Sequence, residues 1–421
     1  MDNYSIATFV INFLSSEDID KNVHIDEISS LEYENKIFDF LYFFKLIPFF
    51  YWKMSSSNSL THSFSLQFKS KLSKYFRESA GLYLKRESEL IKISNLFASA
   101  DIKFILLKGA YLSKNLYPHP AIRPMNDIDI LLTLDDLNAA IKLFSDAGYT
   151  THLKSSFKPE DFYLKHLPTF TGYKKIPVEI HWSPFSHLYQ LNGRYREDVW
   201  LRSYSNFSFN NLSYRLDTID LILTLIIHIS ENNFKQMVLQ LFDIYFIFKK
   251  NDVNFNELFE RAKLWKVEKP LAASIYLLKE YFNLNFEPIV IEKIEASELS
   301  ESIKNSLCKT FLNCSMDSTT EKDKFLTFIF RRTLREKIKY FVNMRSEKRN
   351  FVSYYKIKKG TFADKLWLLL KVYDIFIKYS KIYFLMKTKR VNMNALDSYN
   401  DIQSWLNKPM VNNYEQNLSD I

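Results

Sequence analysis

Apolar residues recur along the chain with a spacing that changes twice. From residue 1 to about residue 98 they recur at helical spacing, for example across 37–46 and 82–96, which predicts helices. At residue 102 an apolar run begins that ends at Lys108 and Gly109, which is typical of a buried strand followed by a helix. Helical spacing returns at about residue 218 and continues with interruptions to about residue 386. The pattern predicts a mixed region between two helical regions.

The mixed region alternates strand and helix signals. After the first strand come a helix to about residue 116, a loop with two prolines, a second strand at 128–132 and a helix at 134–147. Residues 170–181 have the composition of two strands joined by a turn. We expect an α+β fold, with a small mixed sheet between N-terminal and C-terminal helical regions. The expected divisions are a helical N-terminal domain (1–98), the mixed core (99–216), a helical domain packing on it (217–300), a basic helical region (301–392) and a polar tail (393–421).

The overall composition is that of a folded, helix-rich protein. Hydrophobic residues make up 47% of the 421 residues, and 6 Gly and 11 Pro stand against 37 Phe and 26 Tyr. Cys308 and Cys314 are too few for a disulfide framework and lack the spacing of a zinc site. The first residues lack the basic segment of a signal peptide, and no apolar run approaches the roughly 18 residues of a membrane span. We expect a cytoplasmic protein without a transmembrane segment.

Positive charge is concentrated near the C-terminus. The chain has a net charge of +9, and residues 331–390 alone carry 18 Lys and Arg against 4 Asp and Glu. Aromatic residues are interleaved with these charges, a composition that attracts RNA, anionic lipid or an acidic substrate. The same residues also suit a packed helical domain with a basic outer face. We therefore expect either an anionic partner at 331–390 or a solvated basic surface.

Two carboxylates close together mark a candidate metal site. Asp127 and Asp129 flank Ile128, and alternate side chains of a strand share a face, so the two acids point the same way. Such neighbouring hard oxygen donors suit Mg²⁺ or Mn²⁺ together with substrate phosphates. We expect both acids at a solvated strand end.

Three residues nearby are candidates for holding phosphates. Gly109 opens a helix after a strand, where phosphate oxygens can approach backbone N–H groups and the positive end of the helix. Lys108 and Arg123 add positive charge, and a guanidinium can grip phosphate in a bidentate manner. These residues predict a site for the triphosphate of a nucleotide.

A third carboxylate follows about 50 residues later. Glu179 lies in an alternating segment that we expect to form the strand beside 128–132, with Glu179 and His181 on one face. Glu179 would complete the metal site with Asp127 and Asp129, so all three are predicted as metal ligands and catalytic residues. His181 is predicted to orient Glu179 or contact phosphate.

The run IKFILLKGAYLSKNLYPHPAIRPMNDIDILL, the later FSDAGY and VEIHW resemble a bacterial nucleotidyltransferase-like family of the polymerase-β-like superfamily. The resemblance covers about residues 84–250. It implies a polymerase-β-like core and a reaction that transfers a nucleoside monophosphate from an NTP, most simply ATP, and releases pyrophosphate. The acceptor, which the resemblance does not identify, could be a sugar, antibiotic, peptide, protein or RNA. Two residues on later helices, His228 and Asp243, also match the family.

The chain departs from better-studied nucleotidyltransferases at two points. Lys108 and Gly109 stand where those enzymes carry Gly-Ser, and Glu179 replaces the more usual Asp. These departures favour a second interpretation, a nucleotide sensor that keeps the fold without turnover. A third is an RNA-binding or membrane-surface adaptor that works through residues 331–390.

Overall fold

The computed structural model divides by internal contacts into two compact units, residues 1–290 and 291–421. The basic segment 331–390 and Cys314 lie outside the residues that the structure describes, and the five divisions expected from the sequence stay predictions. The described residues are 3–16, 31–56, 63–151, 165–172, 175–185, 195–206, 209–312, 398 and 401–406.

The N-terminal part of the first unit is helical, as predicted. Its helices are α1 (Asn3–Ser15), α2 (Leu31–Phe43), α3 (Ile47–Ser55) and the long α4 (Leu66–Ala98). The start of α4 is well defined, because the Ser65 hydroxyl accepts a hydrogen bond from the Phe68 backbone N–H. Ser65 in turn donates through its backbone N–H and its hydroxyl to the buried Glu34 on α2, both at 2.6 Å. These bonds tie α4 to the helices before it.

A six-stranded mixed sheet forms the centre of the unit, in the order β3-β4-β2-β1-β6-β5. The pairs β2/β4 and β1/β6 are parallel, and β1/β2, β3/β4 and β5/β6 are antiparallel. The expected hairpin is confirmed as β3 and β4. The strands are β1 (Phe104–Leu106), β2 (Ile128–Leu131), β3 (Phe170–Thr171), β4 (Pro177–His181), β5 (Tyr204–Ser205) and β6 (Ser213–Arg215).

Helices and a short turn connect the strands. Between β1 and β2 lie α5 (Lys108–Asn115) and a 3₁₀ turn (Pro120–Ile122). The connection from β2 to β3 contains α6 (Leu137–Asp146), and α7 (Tyr195–Leu201) precedes β5.

One face of the sheet is covered by the end of α4 and by α6. Phe97 and Phe144 from these helices pack on each other and on the strand residues Phe104 and Phe170, with ring centroids 5.2–5.7 Å apart. Ile128 and Ile130 of β2 belong to this core. Side chains alternate across a strand, so the acids on either side of Ile128 lie on the opposite face.

Helices follow the sheet in sequence: α8 (Thr218–Glu231), α9 (Val238–Lys250), α10 (Phe255–Leu264), α11 (Glu268–Phe282), α12 (Pro288–Glu295) and α13 (Glu301–Phe311). The predicted α+β fold, a small mixed sheet flanked by helical regions, is confirmed. None of the described helices combines the length and apolar character that crossing a bilayer requires.

Candidate active site

The acids of the site come together because β2 and β4 are neighbours in parallel register. Asp129 on β2 lies directly beside Glu179 on β4, and Leu131 lies beside His181. The expected pairing of the two segments is therefore confirmed. One ligand atom each from Asp129, Glu179 and His181 lies within 4.8 Å of the others.

Asp129 is the most constrained of these side chains. It is only 4% exposed, so the expectation of a solvated strand end was wrong for this residue. Its Oδ1 accepts a hydrogen bond from His181 Nε2 at 2.7 Å, and its Oδ2 lies 3.1 Å from the Lys108 ammonium. Burial alone would raise the pKa of Asp129, but the charge of Lys108 and the bond from His181 lower it well below the usual range. Asp129 is therefore ionised at neutral pH.

Asp127 occupies a different environment although it shares a face with Asp129. It immediately precedes β2, is half-buried, and among the described residues does not join the compact cluster of Asp129, Glu179 and His181. Burial and the negative charge of Asp129 raise the pKa of Asp127, although Lys108 opposes them. The two acids thus differ in proton affinity, with Asp127 the weaker acid.

Lys108 reaches Asp129 from an unusual backbone position. It is the first residue of α5 and has a φ of 40°, in the left-handed region that is costly for a residue with a side chain. The preceding Leu107 donates its backbone N–H to the Asp129 carbonyl at 3.1 Å, which extends the pairing of β1 with β2. This bend turns the chain from strand to helix beside Asp129. The lysine is therefore an ion-pair partner of Asp129, and the predicted phosphate contact stays a prediction.

His166 is a site residue that the sequence did not indicate. Its Nε2 lies 3.7 Å from Glu179 Oε2, and its ring centroid is 5.0 Å from that of His181. Burial and the neighbouring His181 lower its pKa, so the ring is neutral at pH 7. A hydrogen bond from His181 lowers the pKa of Glu179, which is therefore ionised. His166 reaches the site through an isolated bridge to β4, and no periodic pattern marks such a contact.

Arg123 lies in a buried ion pair rather than facing the cluster of acids. Its Nε and Nη2 donate to Asp243 Oδ1 and Oδ2 at 2.8 and 2.7 Å, and the Tyr117 hydroxyl donates to the same carboxylate at 2.7 Å. Asp243 is fully buried and Arg123 is 8% exposed. Arg123 Nη1 donates to the Pro124 carbonyl at 3.4 Å, so all three guanidinium nitrogens are engaged by protein, and a phosphate contact by Arg123 stays a prediction.

Gly109 is required by packing at the start of α5. A Cβ at this position would lie 2.6 Å from Arg123 Nη1 and 2.8 Å from Met125 Cγ, closer than atoms pack. The loop that carries Arg123 and Met125 therefore rests on the bare backbone of Gly109. This contact accounts for the glycine, and its predicted approach to phosphate is not tested by it.

His228 on α8 lies within electrostatic range of Lys108 and Asp129. Burial, followed by the positive charges of Lys108 and Lys165, lowers the pKa of His228 to about 3. Its Nδ1 is buried without a hydrogen-bond partner among the described residues. The ring is therefore neutral at pH 7.

The cluster of Asp129, Glu179 and His181 offers both oxygen and nitrogen ligands to a cation. Asp129 and Glu179 offer the hard oxygens that Mg²⁺ and Mn²⁺ prefer, with Asp127 on the same face, whereas the imidazole of His181 is a softer ligand. Because His181 donates to Asp129, it suits a role in orienting that ligand. The residues fit a cation held by carboxylates, provided that Lys108 yields part of its contact with Asp129.

The chain was compared with protein families, curated proteins and solved structures. No curated protein and no solved structure matches it. A family described as uncharacterised nucleotidyltransferase matches residues 45–283, which is more than half of the chain and contains the whole sheet and both carboxylate strands. The chain therefore belongs to this uncharacterised nucleotidyltransferase family.

Proposed function

We propose that this protein transfers a nucleoside monophosphate from an NTP, with ATP the expected donor, to an acceptor in a reaction that requires Mg²⁺ or Mn²⁺. The observation that supports the proposal is the alignment of Asp129 with Glu179 on adjacent parallel strands, on the face that also carries Asp127. Separate strands hold the carboxylates at fixed spacing, which suits binding of a cation and its phosphates.

In this reaction the acceptor oxygen bonds to the α-phosphorus, and the bond from that phosphorus to the bridging oxygen of the β-phosphate breaks. Pyrophosphate leaves with the electron pair of that bond, and the acceptor gives up a proton. Glu179, ionised and half-buried, is suited to accept this proton or position the acceptor, with His166 next to it. A bound cation would neutralise charge on the phosphates, and Asp127, Asp129 and Glu179 would hold it.

One observation favours a second candidate, a nucleotide sensor without turnover. The Lys108 ammonium already neutralises Asp129, where a cation would otherwise bind. An enzyme must let a divalent cation compete with this lysine, whereas a sensor need not. The adaptor interpretation depends on residues 331–390, which lie outside the described residues, and an anionic partner there stays a prediction.

The test is labelling of an acceptor. Purified full-length protein is incubated with each α-labelled NTP, Mg²⁺ or Mn²⁺, and a cell extract that supplies sugars, antibiotics, peptides, proteins and RNA as acceptors. We expect metal-dependent transfer of label that Asp127→Asn and Asp129→Asn each abolish. Asp146→Asn is the matched control, because Asp146 is an exposed acid paired with Lys142 outside the site.

The two candidates give different results. Binding of ATP without labelling of any acceptor, in the presence of either metal, would favour the sensor. Labelling that persists in both site variants would show that these acids do not carry the reaction.

A further inference from the structure

Two positive side chains outside the sheet lie within electrostatic range of Asp127, and neither belongs to the strand-helix motif that defines the site. We propose that Lys45 and Arg86, from the N-terminal helices, bind the triphosphate of the nucleotide and so complete the active site. This inference rests on the proposed function, because it names residues that hold the donor in that reaction.

Lys45 lies in the turn between α2 and α3. Its φ is 58°, and the backbone N–H of Leu46 closes the turn by donating to the Leu41 carbonyl at 2.7 Å. Phe49, in the first turn of α3, packs edge-on against Tyr117, and the Tyr117 hydroxyl donates to Asp243, the ion-pair partner of Arg123. The left-handed turn and the packing of α3 therefore fix the backbone of Lys45, from which its exposed side chain extends.

Arg86 lies on α4 between two contacts that anchor this helix to the mixed region. Seven residues earlier, on the same side of the helix, Ser79 donates to the Ala121 carbonyl at 2.7 Å, in the turn that leads to Asp127. One residue later, Glu87 pairs with Lys114 of α5 at 3.0 Å. Helix α4 therefore carries Arg86 against the same loop that carries Asp127.

The charges of these residues act on one another. Lys45 is exposed, and the charges of Asp127, Arg123 and Arg86 all lie within electrostatic range of it. Arg86 is half-buried, and burial lowers its pKa while the charge of Asp127 opposes this effect. Arg86 is thus held in surroundings that disfavour its charge.

Neither the Lys45 nor the Arg86 side chain has a hydrogen-bonding or ion-pair partner among the described residues, and Arg86 Nε is buried without an acceptor. Arg123 is already neutralised by Asp243. Asp127 is the carboxylate whose charge acts on both Lys45 and Arg86.

An anion at this position would satisfy the buried Arg86 Nε donor and pair with the exposed Lys45 ammonium. A nucleotide whose α-phosphate lies at the carboxylates extends its β- and γ-phosphates over several ångströms, and the cations around Asp127 are in place to receive them. A guanidinium and an ammonium from separate elements suit a polyphosphate chain, because each can contact a different phosphate. The chemistry therefore indicates the triphosphate rather than the base or ribose.

The experiment measures binding of ATP, AMP and inorganic tripolyphosphate to the full-length protein by isothermal titration calorimetry. Lys45→Gln and Arg86→Gln are compared with Lys85→Gln, which removes the same charge from the adjacent, exposed position of the same helix. We expect each site variant to weaken ATP and tripolyphosphate by about 10- to 100-fold, as loss of one charge-assisted contact requires, and AMP by less than about threefold. Lys85→Gln should bind all three like the parent, and Arg86→Lys should recover part of the loss.

Several results would overturn the inference. The first is an unchanged affinity for tripolyphosphate in both site variants while their melting temperatures stay native. The second is an equal loss of affinity in Lys85→Gln, and the third is no binding of tripolyphosphate by the parent. Transfer activity that survives in Lys45→Gln and Arg86→Gln with unchanged KM for ATP would refute this inference and leave the proposed function standing. Tripolyphosphate binding that depends on both residues, in a protein that labels no acceptor, would support the inference while the transfer reaction fails.

Discussion

The ion pair between Arg123 and Asp243 allows a quantitative test of whether Arg123 is structural. The pair joins residues 120 positions apart through two hydrogen bonds of 2.7 and 2.8 Å, and both side chains are buried. Replacing Asp243 by Asn keeps the shape but leaves the guanidinium charge without its counter-ion. Breaking one side of a buried pair costs about 3–5 kcal/mol, so Asp243→Asn and Arg123→Met should each reduce the free energy of unfolding by that amount.

The double variant distinguishes this pair from two independent contributions. Because each single substitution removes the same interaction, Arg123→Met with Asp243→Asn should cost about 2–4 kcal/mol less than the sum of the two. Tyr117→Phe removes only a neutral donor from Asp243 and should cost about 0.5–1.5 kcal/mol. The assay is urea unfolding of the full-length protein at pH 7, followed by circular dichroism.

The control is Asp146→Asn, which breaks an exposed pair and should change stability by no more than about 0.5 kcal/mol. If Arg123→Met unfolds like the parent while ATP binding falls at least about tenfold, Arg123 serves the nucleotide and the structural reasoning is wrong. Additive losses in the double variant would likewise show that the pair is not formed in solution.

Further substitutions test three separate features of the site. Gly109→Ala should destabilise the protein by about 1–3 kcal/mol, because its Cβ would lie 2.8 Å from Met125 Cγ. In the double variant Gly109→Ala with Met125→Ala, the midpoint of urea unfolding should return part of the way to that of the parent. His228, whose folded pKa of about 3 lies below an unfolded value of about 6.5, binds fewer protons when folded, so stability falls as pH falls between these values. Between pH 7 and pH 4.5, the free energy of unfolding of His228→Asn should therefore fall by up to about 3 kcal/mol less than that of the parent. An identical pH dependence of the two proteins would contradict this. Asp129→Asn should reduce the free energy of unfolding by about 1–3 kcal/mol, because the Lys108 ammonium loses its partner. Asp127→Asn should reduce it by less than about 0.5 kcal/mol, because Asp127 is only half-buried. Equal melting temperatures for the two variants would contradict this difference.

The local pattern of the chain was sufficient to predict the sheet and much of the site. The change from helical spacing to the short run before Lys108 predicted β1 and α5, and the alternation around Asp129 and Glu179 predicted which side chains share a face. These predictions succeeded because the periods of helix and strand are properties of neighbouring residues. The resemblance over about residues 84–250 also indicated the family, since residue types and their spacing are read from the sequence directly, and the family match over residues 45–283 confirms it.

Only the tertiary structure decided the environment of each side chain. That Asp129 is buried against Lys108 and His181, whereas Asp127 is half-buried, depends on how α5 and β4 pack on β2. The pairing of Arg123 with Asp243, the approach of His166 to Glu179 and the position of Arg86 near Asp127 join segments distant in sequence. No periodic pattern encodes such contacts, because they arise from the packing of whole elements and the need to neutralise buried charge.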